Sequence, residues 1–383
     1  MSGFFRSRWV DPPDGVVELD PSQLSPGFRA AGVACGIKPS GALDLGLVIC
    51  DSEQVRSAAL FTRNAAAAAP VRLCRERCDL GGLRAVAVNS GIANAGTGGR
   101  GRDDAAWMQG AAAAALGLDE RTVAVASTGV VGAPLPTTEV GRGVAAAARA
   151  LDPAGADDFA RAIMTSDSGP KRCSLKLGGV TVSAQAKGAG MIEPDMATML
   201  CFVQTDAVVD DPATALSAAV DGSFNLITVD GQMSTNDSVI LQATGSAGEP
   251  LPDGLLDAVL LQLALDVVAD GEGATRVARV VVNAAADPGE ADRVARAVAN
   301  SPLVKTALYG RDPNWGRVVQ AAGMALAGEQ VDLGPDDVNV FELASDAAEV
   351  EVSVTLGRGE AAAHRYCSDL TTDYVTFNAE YTT

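Results

Sequence analysis

Short runs of Val, Ala, Leu and Ile alternate along most of the chain with Ala-rich segments of helical length. This is the pattern expected where strands and helices stack in mixed α/β layers. Residues 45–50 (LGLVIC), 84–88 (RAVAV), 122–126 (TVAVA) and 278–284 (ARVVVNA) predict strands. Segments 103–116, 138–151, 254–269 and 289–300 predict helices, the first opened by Asp103 and Asp104 at the positive end of its dipole. Residues 181–186 (TVSAQA) alternate as a half-buried strand does, and TMLCFVQTDA predicts another strand that starts at Thr198, after a Pro-containing loop. No repeat or long linker interrupts the pattern, and the alanine runs at 65–69 and 111–115 suit helical turns or tight packing. The best division of the chain falls in the loop between the last two strands.

Composition narrows the function classes. A chain of 383 residues exceeds the size at which one hydrophobic core usually stops growing, so two lobes or one large layered unit are expected. With 48% hydrophobic and 20% charged residues it belongs among globular proteins. A formal charge of −19, with no basic run interleaved with aromatics, argues against nucleic acid or an anionic membrane as partner. The most apolar stretch, LLDAVLLQLALDVVAD from 255, is interrupted by Asp257, Gln262 and Asp266, and the first residues lack the apolar segment of a signal peptide. Seven scattered cysteines suit reduced thiols and a cytoplasmic location. Cys74 and Cys78 lie four apart, but no partner pair follows and the chain has one histidine, His364, so no metal site is expected.

Candidate chemistry gathers around AKGAGMIEPDMATMLCF, residues 186–202. A threonine entering a strand is ordinary, since β-branched residues suit strands. Here Lys187, Gly188 and Gly190 stand upstream and the small Ala197 immediately precedes Thr198. A hydroxyl nucleophile needs a base, and the chain has no G-x-S-x-G elbow. Thr198 would supply its own base if the Ala197–Thr198 bond were cut, because a free α-amine titrates at about 7.7–8.0. Elsewhere the residues alone have plain readings. The Ser-Thr-Gly step at 127–129 suits a turn that ends a strand, Lys187 a solvated strand end, and Glu272 in DGEGATR a helix cap. Asn236, Asp237, Asn314 and Trp315 suit the ordering of turn-rich loops.

AKGAGMIEPDMATML is similar to the self-cleavage site of the ornithine acetyltransferase, or glutamate N-acetyltransferase, family. The resemblance extends in order through SPGFRAAGVACGIK (25–38), NSGIANA (89–95), ASTGVVG (126–132) and IMTSDSGPK (163–171). It continues through FNLITVDGQMSTND (224–237), DGEGATR (270–276), NSPLVKTALYGRDPNWGR (300–317) and NAEYTT (378–383). Only the first two dozen residues and roughly 325–365 match weakly.

The resemblance implies a layered α-β-β-α-type sandwich of mixed sheets with helices outside, cut into an alpha chain, 1–197, and a beta chain, 198–383. It implies Thr198 as nucleophile, Ala197 as the cleavage site, and Thr128 and Gly129 as the oxyanion hole. It places Thr165, Lys187, Thr198, Glu272, Asn378 and Thr383 at the substrate. The activity implied is ping-pong transfer of acetyl from N-acetylornithine to glutamate in arginine biosynthesis, with acetyl-CoA as a second candidate donor. No metal or organic cofactor is implied; a pyridoxal-phosphate Schiff base, the other chemical option for Lys187, has no support. The implied assembly is a heterotetramer of two alpha and two beta chains.

Competing readings are an N-terminal-nucleophile amidohydrolase or aminopeptidase, a related acetyltransferase of secondary metabolism, and a non-catalytic binding protein. The chain departs from the usual pattern at Glu193 and Asp195, where histidine and asparagine are common, and DGQMSTND replaces the commoner DGDTSTND. Arg276 stands where lysine is expected, and Ser166 and Ser168 keep hydroxyls where the family has threonines.

Overall fold

A computed structural model describes residues 3–193 and 199–380. In chain order its strands are β1 (Val17–Glu18), β2 (Phe28–Val33), β3 (Leu45–Cys50), β4 (Arg56–Phe61), β5 (Ala85–Ile92), β6 (Val123–Val130), β7 (Lys171–Leu177) and β8 (Val180–Lys187). They continue with β9 (Leu200–Thr205), β10 (Ile227–Thr228), β11 (Ser238–Ala243), β12 (Val277–Ala285), β13 (Val338–Asn339), β14 (Glu349–Thr355) and β15 (Ala361–Ser368). The helices are α1 (Ala69–Arg77), α2 (Gly98–Leu116), α3 (Thr137–Ala150), α4 (Ala156–Ala162), α5 (Pro212–Asp221), α6 (Leu255–Ala269), α7 (Pro288–Asn300), α8 (Pro302–Gly310), α9 (Trp315–Ala325) and α10 (Thr372–Glu380).

Helix starts follow local chemistry. Asp287 before α7 and Ser301 before α8 each accept a backbone N–H three residues on, with proline in the first turn where its missing N–H costs nothing. Gly117 ends α2 at φ +67°, the left-handed conformation that glycine adopts freely.

Three mixed sheets result. One has strand order β2-β3-β5-β6, the second β1-β7-β8-β9-β11-β4, and the third β10-β15-β12-β14-β13. All six residues of β9 are buried, and they alternate between two cores. Leu200 and Phe202 join the core between the first two sheets, which α1, α2 and α3 close from outside. Cys201 and Val203 face the opposite way, into a core with α5 and α6. A strand between two apolar layers must be hydrophobic on both faces, which explains the unbroken LCFV. The order helix, sheet, sheet, helix is the expected α/β sandwich. The third sheet, with its own core against α7, α8 and α9, extends it.

Helix α6 lies between the second and third sheets, contacting β7 and β8 on one side and β10, β12 and β15 on the other. A helix covered on most sides is apolar over most of its surface, and Asp257 falls on an exposed position. Among the described residues no helix is long and apolar enough to cross a membrane.

Two strands run further than their apolar cores predict. β5 continues past Val88 to Ile92 and β6 past Ala126 to Val130, so Thr128 and Gly129 belong to a strand and not to a turn. Their polar ends are paired internally: Ser127 Oγ donates to Asn89 Oδ1 at 2.6 Å and Ser90 Oγ to the Ala162 carbonyl at 2.6 Å. The strand expected to start at Thr198 is described from Leu200, and Thr198 itself lies outside the described residues.

Candidate active site

β8 and β9 are antiparallel neighbours, with Lys187 opposite Leu200. The end of β8 and the start of β9 therefore meet at the edge of the sandwich where β5 and β6, which run parallel, also end. At this edge Gly129 has φ +126°, and a Cβ there would sit 2.3 Å from the Gly91 carbonyl carbon. Only glycine fits this approach of two strands, which is coupled to a register shift at Gly91 and Ile92. Asn236 braces the same corner from the other half of the chain, its Nδ2 donating to the carbonyls of Ala93 at 2.7 Å and Ser127 at 2.8 Å.

Lys187 is buried, and its Nζ donates to Thr128 Oγ1 at 3.0 Å. An ammonium has no lone pair to accept with, so the Thr128 hydroxyl proton is left free for another acceptor. Burial lowers the Lys187 pKa, while Asp167, Asp237 and Glu272 oppose the effect. Asp167 is itself buried. It accepts from Lys171 Nζ and Gly188 N–H, both at 2.7 Å, and from Thr165 N–H at 3.0 Å. Burial alone would raise its pKa, but Lys171 and Lys187 hold it at about 2. Lys171 also pairs with Asp270 at 2.5 Å. One carboxylate thus fixes Thr165 and the residue after Lys187 together.

The opposite wall comes from the second half of the chain. The Glu272 carboxylate accepts from Ser166 Oγ at 2.7 Å and from Asn378 Nδ2 at 2.9 Å, one neutral donor on each oxygen. A Cβ at Gly190 would lie 2.5 Å from that carboxylate, so glycine there lets the loop after β8 pass close to it. Asp230 accepts the N–H groups of Met191 at 2.6 Å and Ile192 at 2.9 Å, and burial raises its pKa. Burial, with Asp230 and Glu272 nearby, pushes the Tyr374 phenol up to about 12, which keeps it neutral.

Six of the residues singled out from the sequence, Thr128, Gly129, Thr165, Lys187, Glu272 and Asn378, line one cavity of about 160 Å³. Ala197 and Thr198 lie outside the described residues, as do Pro194, Asp195 and Thr383. Cys74 and Cys78 are free thiols against β6, His364 stands on β15, and no metal-binding cluster occurs among the described residues.

Sequence reasoning missed Asp167 and Asp230, whose work is to hold backbone N–H groups, and assigned Asn236 and Asp237 to loop architecture. Asp167 stands between two serines and Asp230 before a glycine; a carboxylate in such a turn is the available signal, and it is a common one. Asn314 does cap a helix, accepting from Arg317 N–H at the start of α9.

The fold and the cavity define a mixed α/β protein with a polar pocket that sets a lysine at one wall and a carboxylate at the other, suited to a small molecule bearing both an ammonium and a carboxylate. The chain belongs to the ArgJ family, which matches residues 29–383. It is 46% identical to the arginine biosynthesis bifunctional protein ArgJ of Symbiobacterium thermophilum, covering 93% of this chain and 97% of that one. The protein of that name from Geobacter sulfurreducens is 45% identical, covering 93% and 99%. Among solved structures, a chain of Mycobacterium tuberculosis ornithine acetyltransferase complexed with ornithine is 42% identical. It covers 47% of this chain and 98% of its own length, at a TM-score of 0.44.

Proposed function

We propose that this chain is an acyltransferase of arginine biosynthesis that moves acetyl from N-acetylornithine to glutamate through an acetyl-threonine at Thr198. The observation that carries the reading is the convergence of Thr128, Gly129, Thr165, Lys187, Glu272 and Asn378 on one cavity, beside the strand that begins two residues after Thr198. Family membership and the curated relatives support it.

In the first step the Thr198 hydroxyl attacks the Ala197 carbonyl. The C–N bond breaks, the nitrogen takes a proton, and water hydrolyses the resulting ester to leave Ala197 as a carboxylate and Thr198 with a free amine. That amine then serves as base for acetyl transfer. The Thr198 oxygen takes acetyl from N-acetylornithine and releases ornithine; the amino group of glutamate then removes the acetyl and restores the hydroxyl. The Thr128 hydroxyl and the Gly129 N–H stabilise the oxyanion in each step, a contribution on the order of 3 kcal/mol per donor. Glu272, presented by Ser166 and Asn378, holds the ammonium of the amino acid, and Lys187 and Thr165 its polar groups. Thr383 is the further residue assigned to the substrate. The relatives' names carry the word bifunctional, and the second activity proposed here is acetylation of glutamate from acetyl-CoA.

The test combines intact mass with product analysis. Wild-type protein gives two chains, the second beginning at Thr198, and acetyl from N-acetylornithine appears on glutamate. Thr198→Ala stays a single chain and is inactive. Acetyl released only as free acetate would replace the transferase by an amidohydrolase, and an uncut but active chain would remove the mechanism. Acetyl-CoA with glutamate, assayed in parallel, decides the second activity.

A further inference from the structure

We propose that Asp237 is a positioning residue for the Thr198 nucleophile, acting through the N–H of Met199. The inference rests on the reading of Thr198 given above and adds a residue that reading does not use. Asp237 immediately precedes β11, which pairs in parallel with β9 so that Ser238 stands opposite Leu200. The register brings Asp237 to the residue before Leu200, and its Oδ1 accepts the Met199 N–H at 2.9 Å. A peptide group is planar, so a bond that fixes the Met199 N–H also fixes the plane that ends at the Thr198 Cα. Once the chain is cut, Thr198 is a terminus held by that one peptide, and chain termini fray unless they are tied down.

The surroundings of Asp237 exceed what strand pairing needs. Its side chain is fully buried, and Oδ2 makes no hydrogen bond among the described residues. Two hydroxyls approach it and oppose the rise in its pKa: Thr62, which also donates to the Ser234 carbonyl, and Ser234, whose Oγ accepts from Asn236 N–H. Burying an oxygen in this way is unfavourable, and burial raises the carboxyl pKa well above its usual range. Lys187 is the charged side chain that faces it and opposes that rise. Asp237 stands with Thr128, Lys187 and Met199 around a gap too small for a water molecule, directly beside the main pocket. A group that only closed a loop would not need to stand, buried and facing Lys187, against the wall that Thr128 forms.

Three variants of the full chain test this, read by the rate of self-cleavage and by kcat and KM for N-acetylornithine. Asp237→Ala loses the acceptor, so cleavage and kcat fall at least about tenfold while KM stays within about threefold. Asp237→Asn keeps Oδ1 as acceptor and recovers kcat to within about threefold of wild type. Asp237→Glu folds with the same charge but displaces the oxygen by one methylene, so kcat falls and KM holds. This last variant keeps the test decisive if the alanine variant fails to fold. Wild-type rates in Asp237→Ala or Asp237→Glu, or an asparagine variant no better than alanine, would overturn the inference. Wild-type protein that is neither cut nor active would instead remove the function on which it rests, so the two failures are told apart.

Discussion

At Gly129 a methyl group is enough to displace the pocket wall that this residue forms with Thr128. A Cβ would meet the backbone of Gly91, which no rotamer change relieves, and φ +126° is closed to other residues. Gly129→Ala is expected to cost on the order of 3 kcal/mol or more and to leave the chain unprocessed, measured by thermal unfolding and intact mass. Lys187→Met separates charge from volume at the same wall. The side chain still fills its buried channel, so folding persists, while the donor to Thr128 and the partner of Asp167 are lost. A fall in kcat of about a hundredfold is expected with the fold intact. Activity within twofold of wild type would show that the lysine only fills space. This residue was legible in the sequence as a lysine before two glycines. Its burial was not, because what covers it comes from Thr128, Asp167 and Asp237, which are distant in sequence.

At the scale of elements, helix α6 shows how a buried apolar segment tolerates two polar residues. Gln262 accepts the N–H groups of Arg6 and Ser7 at 3.0 and 3.1 Å, donates to Asp266 at 2.7 Å, and Arg6 pairs with Asp266 at 2.8 Å. These residues interrupt the apolar run because they dock the N-terminal segment. Burial lifts the Asp266 carboxyl to about 6, against the opposing pull of Arg6. A carboxyl raised on folding binds its proton more tightly in the folded state, so it lowers stability fully above about pH 6 and not at all below about pH 4. Asp266→Asn removes that penalty. The variant is expected to be more stable than wild type at pH 8 by on the order of 2–3 kcal/mol, the gain fading between pH 6 and 4. A variant that melts lower at pH 8 would contradict this. Strand β3 was legible residue for residue, because LGLVIC is apolar throughout. The ends of β5 and β6 were not: NSGI and STGV have the composition of turns, and their polar side chains are satisfied by Ser127 donating to Asn89 on the next strand, Asn89 donating to the Ile92 carbonyl, and Ser90 donating to the distant Ala162 carbonyl.

For the whole molecule the question is what cutting at Ala197–Thr198 would do to a shared sheet. Its order β1-β7-β8-β9-β11-β4 places β1, β7 and β8 from the first segment beside β9 and β11 from the second, and returns to the first segment at β4. β4 pairs with β11 along its full length, from Ser238 opposite Phe61 to Ala243 opposite Arg56. The second segment is thus held between two parts of the first, and neither could leave without breaking backbone ladders on both sides of β9 and β11. The core between the first two sheets likewise takes Phe202 and Ile240 from one segment and Leu47 and Val86 from the other. The cut chains should therefore co-purify, stay together at nanomolar dilution and unfold in one transition, as one cooperative unit does. Residues 198–383 expressed alone would expose the strand edges that β8 and β4 cover, and are expected to aggregate. Two separate melting transitions in the processed protein, or a second segment that folds alone, would show that the border at 197 divides independent domains. The interleaved sheet predicts the reverse: a chain cut at that bond keeps its two segments in one body, because β9 stays paired with β8 and β11 with β4.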